Sequence, residues 1–236
     1  MTRFLPIILA LILVGSVERR PLHDRAADTL RALPVPWFDP AHPLPETDAE
    51  RDARLGRIAV EAVTQTKILD DETGFLTRTG FPLDAFIALA LAGAYNESAL
   101  AWEVHAGQEW PGRPAPFGDK GRARCLFQLQ PSASMVPRDA FRPFDAVDHP
   151  RLAGLDEEAT RRCVRAGVRA FAWQVWRCQA ATRAAVAEGD RSARYAIAVI
   201  YSEYHRPSDC RFALSPGSLR RADAMRGFLA RLRAKR

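Results

Sequence analysis

The most uniformly apolar stretch of the chain's interior is FPLDAFIALALAGAY, from Phe81 to Tyr95. A helix that is hydrophobic on nearly every side is buried rather than laid on a surface. Gly74 and Gly80 punctuate the turn before it, and Pro82 stands near its first position, where a missing N–H costs nothing. Upstream, Thr47-Asp48-Ala49-Glu50 carries the hydroxyl and carboxylate of a capping box. Leu55, Ile58, Ala59, Ala62 and Val63 follow at helical spacing, which predicts an amphipathic helix from Asp48 to about Leu69. Downstream, Ala101 to Gly121 is rich in glycine and proline and reads as loop. GRARCLFQLQP, residues 121 to 131, is a short apolar run that holds Gln128 and closes on Pro131. It suits a ligand-lining strand or turn and predicts a small hairpin around residues 121 to 130. Asp156 to Glu188 is acidic at its start and closed by Gly189, the terminal signals of one long helix. Two more helices are predicted, from about Ser192 to Tyr204 and from Ser218 to about Arg233. The last places Leu219, Ala222, Met225, Phe228, Leu229 and Leu232 on one side. The fold class expected is mainly α with a small β-hairpin.

The N-terminal part reads differently. Residues 1–17 hold one early arginine, an apolar run from Phe4 to Gly15, and small residues at Gly15 and Ser16. That run falls short of the roughly 18 residues that suggest a spanning helix, so it predicts a signal peptide cut near Ser16, with an uncleaved N-terminal anchor as the alternative. Residues 18–46 form an extension. Glu18 to Leu33 is charged, a short helix or a spacer, and five prolines between Pro34 and Pro45 forbid helix and favour an extended linker. Trp37 and Phe38 within it are expected to dock on the domain. Residues 47–236 are read as one catalytic domain, and at 236 residues the chain can bury one sizeable core.

Charge and cysteine narrow the setting. The net charge is +6, and only Lys67, Lys120 and Lys235 among 34 basic residues are lysine. A basic surface speaks to partners, here an anionic polymer such as cell wall. No nucleic-acid motif accompanies the arginines, so nucleic acid is not expected. Cys125, Cys163, Cys178 and Cys210 fit two disulfides in an oxidising compartment, periplasmic or secreted. On one helix Cys163 and Cys178 would lie about 22 Å apart and could not bond to each other. Two pairings remain, each tying Cys125 or Cys210 to that helix. No C-x-x-C spacing or helical pair of histidines supports a metal, and no phosphate-cradling glycine loop supports a nucleotide cofactor. None of the five histidines accompanies a nucleophile elbow or a catalytic cysteine motif.

The candidate chemistry centres on Asn96-Glu97-Ser98. Glu97 falls where the buried helix meets a polar loop, and a partly desolvated carboxylate suits a general acid. Glu97-Ser98 after an apolar helix, followed by Leu126-Phe127-Gln128-Leu129 and Pro131, resembles the lysozyme-like fold of lytic transglycosylases and goose-type lysozymes. That family reads E-S, then G-A-x-G-L-M-Q-x-x-P, then A-Y-N-x-G. Here Cys125 stands where a glycine is usual and Phe127 where methionine is common. The third motif would fall on Ile200 to Tyr204, keeping Tyr201 without the asparagine or the glycine. The resemblance covers about residues 80 to 205.

It implies an enzyme that cleaves the β-1,4 bond between N-acetylmuramic acid and N-acetylglucosamine in peptidoglycan, with Glu97 as acid and then base. Asp119, in Asp119-Lys120-Gly121, resembles the aspartate that positions water in the hydrolytic relatives. Gln128 would contact the N-acetyl group or ring oxygens, Tyr201 would hydrogen-bond near Glu97, and Ser98 would steady the acid or its loop. Cys125 in place of glycine makes sense if a disulfide anchors the substrate loop. Trp102 and Trp110 either stack on sugars or cap the core, and Phe171, Trp173 and Trp176 are read as core. A hydrolytic lysozyme and a non-catalytic wall-binding protein of the same fold are the competing expectations.

Overall fold

The computed structural model describes residues 20–34, 45–111, 115–116, 118–136, 138–179, 190–205, 210 and 215–234, and for 119, 190–193, 195, 202, 203 and 205 the backbone alone. The expected signal segment, the prolines between 34 and 45 with Trp37 and Phe38, and Gly189 lie largely or wholly outside these residues. The protein is mainly α-helical. Helix α1 spans Leu22–Arg31, α2 Asp48–Thr73, α3 Phe75–Thr79, α4 Leu83–Ser98, α5 Trp102–Ala106, α6 Gly118–Gly121, α7 Glu157–Arg177, α8 Asp190–His205 and α9 Pro216–Ala234.

The centre is α4. Every residue from Ala85 to Ala94 is buried, with α2, α7 and α9 packed around it. Each fully buried Phe86, Ile87, Leu89 and Leu91 contributes about 1.5–3 kcal/mol over an exposed side chain. Gly93 permits the close approach of α7, since a Cβ there would stand 2.4 Å from the Phe171 ring. Helix α2 begins in the capping box: Glu50 N–H donates to Thr47 Oγ1 at 3.2 Å and Thr47 N–H to Glu50 Oε2 at 2.7 Å. It runs past Leu69 to Thr73, and Gly74 at φ 62° closes it.

Residues 22–31 are helix, with Ala26 and Leu30 fully buried against α2. Arg25 Nη1 donates to the Leu232 carbonyl at 3.0 Å and joins the first described helix to the last.

Two expectations are corrected. The helix starting at Glu157 stops at Arg177, with Cys178 as its C-cap, instead of running to Glu188; residues 180–189 lie outside the description. No strand forms among the described residues, so the hairpin is absent. In its place a single antiparallel bridge joins Arg124 and Leu129, with both N–H to O distances 2.9 Å. The turn between them uses the left-handed region at Cys125 (φ 58°) and Gln128 (φ 48°), and Pro131 then begins a 3-10 turn, Pro131–Met135. Too few extended residues flank the turn to continue a ladder.

Both disulfides tie into α7, one at Cys163 within it and one at its C-cap Cys178. Cys125 pairs with Cys163 at a Cα separation of 5.8 Å, and Cys178 with Cys210 at 5.5 Å. The pairs fit an oxidising compartment. No helix among the described residues is long and apolar enough to cross a membrane.

Candidate active-site cleft

A cleft of about 960 Å³ opens between the end of α4, the Cys125–Gln128 turn, the 3-10 turn Pro131–Met135, α7 and α8. Glu97 lines it from the last turn of α4, with its side chain only 12% exposed. On its other side Arg221 of α9 brings Nη2 to 3.6 Å from Glu97 Oε1.

The backbone behind Glu97 is tightly held. Ser98 Oγ donates to the Ala94 carbonyl at 2.8 Å and accepts the Leu100 N–H at 3.2 Å. Ser98 is buried and closes the helix end, and it is not part of the cleft lining. Ala99 and Leu100 follow at φ 54° and 55°, a conformation that costs an L-residue roughly 1–2 kcal/mol each. Two hydrogen bonds hold them there, one local and one from α2. Ala99 N–H reaches the Tyr95 carbonyl at 2.7 Å, and Arg54 Nη1 donates to the Leu100 carbonyl at 2.9 Å. Arg54 is itself gripped by Glu46 at 2.8 and 2.5 Å. This fork is nearly dry, so its hydrogen bonds are little screened.

The turn across the cleft is built from its own side chains. Gln128 lines the cleft, yet both ends of its amide are occupied locally: Oε1 accepts the Gly118 N–H at 2.8 Å and Nε2 donates to the Cys125 carbonyl at 3.1 Å. His149 Nε2 lies 2.9 Å from the Leu129 carbonyl and anchors the return limb. Phe127, where methionine is common in the resembling family, is fully buried against α7, and a Cβ on Gly167 would come within 2.3 Å of its ring. Asp119 belongs to the α6 turn, and its side chain lies outside the description.

The two tyrosines of α8 part company. Tyr201 is fully buried, and its hydroxyl donates to the Leu89 carbonyl at 3.2 Å. Burial pushes that hydroxyl's pKa far up; the Asn96 amide opposes the rise and the Glu97 charge adds to it. Tyr204, one turn further, lines the cleft and donates to the Phe127 carbonyl. Its ring stacks on Phe171 with centroids 4.5 Å apart and planes 1° from parallel. Burial first, then the charge of Glu97, raise the Tyr204 hydroxyl's pKa.

The cleft thus gathers Glu97 and Gln128, while Ser98 and Tyr201 stand behind it as supports. Trp102 and Trp110 pack edge to face at 5.7 Å, away from the lining. Trp173, read from sequence as core, lines the cleft, as do Gln174 and Arg177. Sequence reasoning missed these, along with Tyr204, Arg221 and Arg54. Tyr204 alone had a signal, lying three residues from Tyr201 and so on the same helix face. Among the described residues no group of three or more His, Cys, Asp or Glu side chains could hold a metal ion. Comparison with models of known families, with curated proteins and with solved structures finds no match to this chain.

Proposed function

We propose that the protein is an exported peptidoglycan-cleaving enzyme of lysozyme-like fold. It would act on the β-1,4 bond between N-acetylmuramic acid and N-acetylglucosamine as a lytic transglycosylase. The observation that carries this reading is Glu97: a mostly buried carboxylate at the end of a buried helix, opening into a cleft large enough for a glycan strand. Cleavage needs a proton on the leaving glycosidic oxygen and stabilisation of an oxocarbenium-like centre. Glu97 gives that proton, then takes one from the muramic acid 6-hydroxyl as this oxygen closes onto the anomeric carbon. The product is a 1,6-anhydro ring, and no water is consumed. Gln128 holds the facing turn in shape, Tyr204 ties that turn to α8, and Ser98 and Arg54 fix the backbone that presents the acid.

The hydrolytic form would need Asp119 to place water. The transglycosylase form uses only the carboxylate already in the cleft, and is preferred on that ground. Arg221 favours a second reading, a wall-binding protein without catalysis, because its guanidinium competes with a leaving oxygen for the Glu97 carboxylate. Two disulfides and a basic chain suit an oxidising compartment and an anionic wall.

Incubation with purified peptidoglycan and mass analysis of released fragments separates these readings. Fragments ending in 1,6-anhydro-muramic acid are expected. Products one water heavier would establish a hydrolase, and co-sedimentation with the wall without release would establish the binding protein.

A further inference from the structure

Gln174, on α7, lines the same cleft and is 8% exposed. Its Oε1 is buried and has no hydrogen-bond partner among the described residues. Buried polar atoms are nearly always paired, and an unpaired one in a cleft wall is open to a ligand or a water. A half-turn about Cγ–Cδ exchanges the two ends of the carboxamide, so either its acceptor or its donor can be presented to the cleft. Gln128 is less free to take this part, because the Gly118 N–H and the Cys125 carbonyl each already engage one end of its amide. Apolar surface flanks Gln174. Trp173 is its neighbour in the lining, and Met135, 80% exposed, stands on the 3-10 turn at the cleft's edge.

We infer that Gln174 is the acetamido-recognition residue of the cleft, its carboxamide pairing with the N-acetyl group of an amino sugar. An acetamido group carries one N–H donor, one carbonyl acceptor and one methyl. A carboxamide matches the first two reciprocally, and an indole or thioether surface accepts the third. A sugar bearing a free amine offers donors only and no methyl, so the site discriminates by acetylation. This inference rests on the glycan-binding part of the proposed function and does not depend on catalysis.

The test uses the full chain with both disulfides intact and Glu97→Gln in place, so that bound glycan is not consumed. Calorimetric titration compares the tetramer of N-acetylglucosamine with its fully deacetylated counterpart, in that background and with Gln174→Met added. The acetylated tetramer is expected to lose about tenfold in affinity on Gln174→Met, the effect of one buried hydrogen bond. The deacetylated tetramer is expected to change less than about twofold. The amine charge is the same for both proteins and cancels in the ratio. Gln174→Asn, neutral and one methylene shorter, keeps both hydrogen-bonding ends but draws them back from the cleft; it is expected to give a smaller loss for the acetylated tetramer alone, and supplies the answer if the methionine variant does not fold. Equal losses for both tetramers, no loss for either, or no binding of the acetylated tetramer would overturn the inference. Retained discrimination without peptidoglycan cleavage would leave it standing and remove only the enzymatic reading.

Discussion

Nη2 of Arg221 lies 3.6 Å from Oε1 of Glu97, so the last helix carries a cation to the end of the buried one. With the two side chains 30% and 12% exposed, water screens the pair only in part. Replacing Arg221 with leucine is expected to lower the unfolding free energy by about 1–2 kcal/mol, and Glu97→Gln in the same chain should recover part of that loss. Urea midpoints of the two single variants and the double variant measure the coupling. Strict additivity would mean that the pair contributes nothing to the fold.

Cys125 occupies a left-handed turn position, φ 58°, while its sulfur is bonded to Cys163. The cross-link closes a loop with a sequence separation of 38, worth about 3–4 kcal/mol of stability by the chain-entropy estimate. Removing the bond in two ways separates the cross-link from the backbone. Cys125→Gly with Cys163→Ala keeps the turn at ease, whereas Cys125→Ala with Cys163→Ala also meets the left-handed penalty. The glycine pair is therefore expected to be more stable by about 1 kcal/mol. Thermal melts of the two double variants make the comparison, and an alanine pair as stable as the glycine pair would contradict the assigned turn.

His105 is fully buried, with Nε2 3.2 Å from Thr160 Oγ1. Burial first, then the charges of Arg54 and Arg57, lower its pKa from 6.5 to about 3. The folded protein thus keeps this imidazole neutral where the unfolded chain binds a proton. Below the unfolded pKa of about 6.5 the unfolded state gains, so this residue's effect is a loss of stability as pH falls toward about 3, at up to about 1.4 kcal/mol per pH unit. Above pH 6.5 it has no pH effect. Melts between pH 4 and 7 are expected to show a shallower acid slope for His105→Gln than for the parent chain, and parallel slopes would refute the assignment.

Much of the helical frame was legible because it follows from one-dimensional pattern. Phe81 to Tyr95 has no polar face, so it could only be central, and Thr47 with Glu50 announced the start of α2 three residues apart. Glu97 was legible for the same reason, as the first carboxylate after the buried run. The expected hairpin failed because a short apolar run such as Leu126-Phe127-Gln128-Leu129 looks the same in a strand and in a turn pinned from outside by Cys163 and His149. The helix expected to reach Glu188 stops at Arg177, twelve residues before the glycine that seemed to close it. Tyr204, Gln174, Arg54 and Arg221 stayed hidden because their part depends on which helix faces which. That information lies in contacts such as Arg54 to the Leu100 carbonyl, spanning 46 positions, and no local spacing encodes it.

The most direct measurement of the central claim is the rate at which soluble fragments leave purified peptidoglycan, for the disulfide-intact chain beside Glu97→Gln. Near-isosteric replacement preserves the carboxylate's shape while removing its proton chemistry. The account expects the variant to fold, to sediment with the wall, and to release fragments at least 100-fold more slowly, the scale of a lost general acid. Equal release by both proteins, or none above background from either, would contradict it.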